Sequence, residues 1–147
     1  HAIVMVKTDP KNVPESISIR NQAGSYGRVK PAGASGRHTE QTLLHLLATL
    51  LGGKNAEAIL TGTHSTGCVS DYDRAKRIAG DMVSRFAMTA YGKNPKEILD
   101  SADKLACDII GEHRAAIEEM TDILLEKKTE YRFIFSTQSL DQESKKS

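Results

Sequence analysis

No tryptophan occurs among these 147 residues, and aromatic residues make up only 5% of them. The apolar weight falls on Leu, Ile, Ala and Val, which suits helix packed on helix. Cysteine is nearly absent: Cys68 and Cys107 match no metal-finger or disulfide-framework spacing and suit a reducing compartment. No run of about 18 apolar residues occurs, so none of these residues reads as a membrane span, and no signal-peptide pattern is present. Neither sign of charge dominates. Lys plus Arg is 20 against 19 for Asp plus Glu, spread along the chain, and no face is basic enough to argue for nucleic acid. Complete HExxH, GxSxG, Walker or paired CxxC motifs are missing, as are internal repeats. What remains, 39% hydrophobic and 27% charged, reads as one soluble globular domain with a single core.

The chain starts at His1 rather than Met, which reads as a fragment boundary. Ala2 to Val6 is an apolar run too short to separate helix from strand. Lys7 to Pro14 is a loop. Ile17 to Arg20 alternates with period two, Tyr26 to Val29 is its candidate partner, and Asn21 to Gly24 supplies turn residues, so a small hairpin is expected. Pro31 to Gly36 is a flexible loop. From Thr39 the pattern turns helical. Thr39 or Thr42 caps a segment with Leu43, Leu44, Leu46, Leu47, Leu50 and Leu51, apolar on nearly all sides and therefore central. Gly52-Gly53 either ends this helix or lets another backbone come close.

Thr61 to Gly67 is a polar loop. Ser70 with Asp73 resembles a capping box, with Asp71 in the first turn. Tyr72, Ala75, Ala79, Met82, Val83 and Phe86 then recur at helical spacing. Asn94-Pro95 opens a last helix, and Ile98, Ala102, Leu105, Ile109, His113, Ile117, Met120 and Leu124 step along one face for about seven turns. Gly111 interrupts this helix without ending it. Tyr131 to Phe135 is strand-like, and Ser136 to Ser147 reads as a polar, disordered tail.

Candidates for chemistry are few on these patterns alone. His45 lies among leucines and His113 on an apolar stripe, so both read as core or boundary residues. His38 follows a Gly-rich loop and is solvated, while His64 is ambiguous in its polar loop. Asp71 and Asp73 have an ordinary role too, stabilising a first helical turn by about 0.3–1 kcal/mol.

Four stretches add more. Leu50-Leu51-Gly52-Gly53-Lys54-Asn55-Ala56-Glu57 resembles the LLGGRAAE signature of FtsH-type peptidases. Thr66-Gly67-Cys68-Val69-Ser70-Asp71 is similar to that family's TGA-x-x-D, with Cys68 in place of Ala. The helix from Asp73 through Met82-Val83 to Met88-Thr89 parallels a third segment, with Ala87-Met88-Thr89 standing for Gly-Met-Ser. Glu112-His113-Arg114 and Leu124 to Thr129 resemble the family's last helix and its LLEKET ending. Gly27 sits where the family keeps a glycine in its small hairpin.

The resemblance implies a mainly α fold, a helical peptidase domain over residues 1–129 with a small β-hairpin near the N-terminus, and an unassigned tail over 130–147. It implies a zinc-dependent metalloendopeptidase of an ATP-dependent protease that degrades unfolded or membrane proteins. In that family a helix carries HExxH, two His ligands with a Glu as general base between them, and a distant Asp completes the set. His1-Ala2-Ile3-Val4 matches the second His of HExxHAxV, so His1 and Asp71 are the expected zinc ligands. Asp71 shares a face with Ala75, Ile78 and Met82. Glu57 matches a family Glu near the site and is expected to support the ligands. His64 is a possible auxiliary ligand.

The first His and the catalytic Glu fall before His1, so these residues alone are expected to be inactive. ATP enters only through an AAA module, and a membrane anchor is usual in full-length members; neither is in these residues. Expected partners are polypeptide substrates, the AAA module and further copies in a hexameric ring. The alternative is an inactive member that serves as an oligomerisation scaffold.

Overall fold

The computed structural model describes residues 1–11, 14–18, 28–31, 36–127, 131–133 and 144–145. The described structure is mainly helical: α1 (Ala2–Thr8), α2 (Glu40–Thr61), α3 (Val69–Ser84), α4 (Pro95–Glu112) and α5 (Arg114–Lys127). Four short strands accompany them: β1 (Pro14–Ser18), β2 (Arg28–Pro31), β3 (Tyr131–Phe133) and β4 (Ser144–Lys145). No described helix is long and apolar enough to cross a membrane.

α2 is the central element. Thr39 and Thr42 close a reciprocal box at its start: Thr42 N–H donates to Thr39 Oγ1 at 3.1 Å, and Thr39 N–H donates to Thr42 Oγ1 at 2.8 Å. That satisfies two of the donors a helix start leaves open. The leucine-rich run then buries Leu43, Leu44, Leu47, Leu50 and Leu51. Each such side chain contributes roughly 1.5–3 kcal/mol on removal from water. α2 continues through Gly52-Gly53 and ends at Gly62, whose φ of 82° is left-handed. The glycines therefore admit a neighbour rather than stop the helix. That neighbour is α1, which is a helix with Val4 and Val6 buried.

α3 and α4 complete the core with Ala75, Ala79, Met82, Ile98, Ala102, Ala106 and Ile110. α3 starts earlier than the Ser70–Asp73 pattern predicts: Cys68 is its N-cap, with no capping hydrogen bond from its side chain, because a 3-10 turn over Thr66–Cys68 leads directly into it. α3 ends at Ser84, so Phe86 falls beyond it and is exposed. Asn94 caps α4 by accepting from Glu97 N–H at 2.9 Å, with Pro95 in the first turn.

The single last helix expected from the sequence is two. It breaks at His113 (φ −115°, ψ 22°), whose N–H is shared between Ile109 O and Ile110 O and whose Nδ1 lies 2.8 Å from Ile109 O. A side chain that bonds the preceding turn competes with continuation of the helix.

Where a small hairpin is expected near the N-terminus, the strands belong to a larger sheet. β1 pairs antiparallel with β2 (Ile17 opposite Val29, Ser18 opposite Arg28), but its other edge pairs with β3, giving a four-stranded sheet of order β2-β1-β3-β4. A lone two-stranded ribbon is marginal in water, and added strands relieve that. The expected turn at Asn21 to Gly24, Gly27, and residues 134–135 of the strand-like run lie outside the described residues.

Candidate metal centre

α1 begins where α2 has no side chains. A Cβ built on Gly53 would lie 2.7 Å from His1 Nε2, and one on Gly52 would lie 3.2 Å from Val4 Cγ2 and 3.4 Å from His1 N. Only glycine at position 53 leaves room for the imidazole where it sits. Its Nδ1 is 2.6 Å from the carbonyl oxygen of Thr49, one turn earlier on α2. A carbonyl can only accept, so Nδ1 carries the proton and donates. In a neutral ring this makes Nε2 the lone-pair nitrogen.

Nε2 is aimed at Asp71. Its distance to Asp71 Oδ2 is 3.2 Å, with the two side chains 33% and 39% exposed. A lone-pair nitrogen and a carboxylate oxygen are both acceptors, so a proton or a cation between them is what sustains this approach. With a proton, the pair is an imidazolium–carboxylate. The hydrogen bond to Asp71 raises the His1 pKa above its ordinary 6.5 against the opposing effect of burial, and the Thr49 carbonyl adds to the rise. The same bond lowers the Asp71 pKa below its ordinary 3.8. Asp71's stabilising share is therefore present above 3.8 and fades in acid, through its lowered pKa. His1's share is present below 6.5 and fades as pH rises through its raised pKa. A metal requires the opposite, a deprotonated ring, and so gains as pH rises.

His1 and Asp71 share a cleft of about 200 Å³ with Gly53, Lys54, Glu57, Gly67 and Cys68. Glu57 Oε2 accepts from Ser65 N–H at 3.1 Å and from Ser65 Oγ at 3.2 Å. It thereby ties α2 to the loop that leads into α3, whose first turn carries Asp71. His64 is exposed and is not among the residues lining this cleft. His38 is exposed, and His45 is half-buried with a pKa lowered by burial. Among the described residues, no group of three or more His, Cys, Asp or Glu side chains is arranged to hold a metal, so His1 and Asp71 stand as a pair. Their separation fits zinc: ligands at about 2.0–2.2 Å in a tetrahedron lie roughly 3.3 Å apart.

Sequence reasoning missed Thr49. Its signal is spacing: 49, 53 and 57 fall one turn apart on α2, so the His1 anchor, the gap for its ring and the Glu57 tether lie on one stripe.

The family model for peptidase family M41 matches residues 1–95. This chain belongs to peptidase family M41. As an M41 chain of the FtsH type, it is 31% identical over 165 residues to the "ATP-dependent zinc metalloprotease FtsH" of Mesomycoplasma conjunctivae, covering 88% of the chain and 22% of that relative. It is 35% identical over 91 residues to the protein of the same name from Bacillus subtilis, covering 60% of the chain and 14% of the relative. It is also 35% identical over 96 residues to the one from Mycoplasmopsis pulmonis, covering 63% and 13%. The chain thus spans less than a quarter of the length of these curated relatives. Every residue lining the cleft lies inside the stretch matched to M41.

Proposed function

We propose that this chain is the zinc-binding part of a metalloendopeptidase belonging to an ATP-dependent protease, and that His1 and Asp71 are two of its protein ligands. The observation that carries this reading is the His1 ring itself. Its Nδ1 is committed to the Thr49 carbonyl, and its Nε2 faces a carboxylate at 3.2 Å, the arrangement that prepares an imidazole to bind a metal.

The chemistry a zinc ion supplies in such a site is Lewis acidity, which polarises a carbonyl and makes water acidic near neutral pH. The chain's own residues do the positioning. Thr49 fixes the His1 tautomer, Gly53 leaves space for the ring, and Asp71 supplies negative charge opposite Nε2. Glu57 braces the approach to α3 through Ser65. The general base is assigned to no residue of this chain. The motif that His1 resembles places it, with the first His, ahead of the matched residue.

The domain of this reading spans residues 1–129, with 130–147 as an appended segment. Its substrates are unfolded or membrane polypeptides delivered by an AAA module that consumes ATP, and copies of the chain assemble as a hexameric ring. Support for these wider statements is membership of M41 and the printed name of the relatives.

Zinc content per chain after exhaustive dialysis tests the reading. Near-stoichiometric zinc is expected in the parent chain at neutral pH, with loss in Asp71→Ala. A folded chain with no zinc would sink it in favour of an inactive scaffold.

A further inference from the structure

Among the described residues, Lys54 is the basic side chain other than His1 that lines the cleft. Lys54 shares its wall with the carboxylates of Glu57 and Asp71, yet its ammonium is committed elsewhere: Nζ lies 2.8 Å from Asp103 Oδ1 on α4. The same oxygen accepts from Asn55 Nδ2 at 2.9 Å, and Asn55 Nδ2 also donates to Leu51 O at 3.1 Å. Asn55 is buried, 7% exposed, so Asp103 is held from below by a fixed amide and from the side by the lysine. The resembling FtsH-type signature has Arg-Ala where this chain has Lys54-Asn55. Asp103 lies outside the stretch matched to M41.

Lys54 is 23% and Asp103 41% exposed, and a pair of that exposure adds little to stability. Its consequence is where it keeps the charge. A lysine side chain is a flexible stem ending in a compact cation. Released from Asp103, the ammonium is free to turn toward the cleft that Lys54 lines, where Glu57 and Asp71 are the acidic residues. A lysine paired with Asp71 opposes any divalent cation there.

We propose that Asp103 is a positioning residue for the metal centre: with Asn55 it holds the Lys54 ammonium away from Asp71 and so keeps that carboxylate available to a divalent cation. This inference rests on the reading of His1 and Asp71 as zinc ligands. It deepens that reading by adding a group on α4 that touches neither ligand.

The experiment is a zinc titration of the full chain against a chromophoric chelator, with zinc as the only added metal. Four proteins are compared: the parent, Asp71→Ala, Asp103→Asn and Lys54→Met/Asp103→Asn. Asn at 103 keeps an oxygen for Asn55, so the fold is retained, and circular dichroism checks this. Asp103→Asn is expected to bind zinc about five- to tenfold more weakly, an effect that shrinks with added salt. Removing the lysine in the same background should restore affinity to within about twofold of the parent.

A purely structural role for Asp103 predicts no such rescue. Unchanged affinity in Asp103→Asn, or a double variant as weak as the single one, overturns the inference while the zinc reading stands. If zinc binding in the parent is insensitive to Asp71→Ala, the zinc reading fails, and this inference fails with it.

Discussion

α4 and α5 continue one apolar stripe in the sequence but occupy different surroundings. α4 places Ile98, Ala102, Ala106 and Ile110 in the core against α2 and α3. Among the described side chains of α5 only Leu124 is buried, Ile117 is half-buried, and Leu125 is 60% exposed. The period of a stripe reports that a segment can be an amphipathic helix. Whether a neighbour covers the stripe depends on direction, and His113 changes the direction. The same residue type, isoleucine, therefore does different energetic work on the two sides of that break.

The largest expected effect tests that contrast directly. Ile98→Ala should destabilise the chain by about 2–5 kcal/mol, because it leaves a cavity in a closed core. Ile117→Ala makes the same truncation on α5 and should cost under about 1 kcal/mol, since less area returns to water. Urea denaturation of the two variants reads the difference, and equal costs would mean that α5 is packed as tightly as α4.

A smaller effect sharpens the break itself. Gly111 lies in the last turn of α4, and a Cβ there meets nothing within 4 Å. Gly111→Ala should stabilise by up to about 1 kcal/mol through helix propensity alone. A destabilisation would show that the kink needs the freedom of glycine and not only the His113 hydrogen bonds.

Much of the helical framework is legible in the sequence for a physical reason. α2 is recognisable because leucines on nearly every side require cover on every side, and α4 because Asn94-Pro95 can satisfy a helix start. The break at His113 is not legible, since the deciding bonds go to the backbone oxygens of Ile109 and Ile110, which leave no mark in residue identity. Gly52-Gly53 shows the same limit. Two glycines announce a terminus and a close approach equally well, and only the position of α1 separates them.

At the site, His1 and Asp71 are seventy positions apart, and no periodicity links them. Resemblance to the FtsH-type motifs named the two together, and the folded chain brings them to 3.2 Å. The carbonyl of Thr49 was invisible for the same reason as the His113 break. One departure from the family pattern gains a physical meaning. Ala87 stands where the resembling segment has Gly, and its φ of 52° is left-handed, a conformation glycine adopts without the strain a Cβ brings.

X-ray absorption at the zinc edge of the zinc-loaded chain reads the His1–Asp71 pairing itself. Nitrogen and oxygen neighbours at about 2.0–2.2 Å and multiple scattering from one imidazole are expected, with the imidazole signal lost in His1→Ala. A sulfur neighbour at about 2.3 Å with no imidazole signal would instead assign the metal to Cys68 or Cys107. Either that result, or an imidazole signal that survives His1→Ala, would contradict the pairing of His1 with Asp71 as zinc ligands.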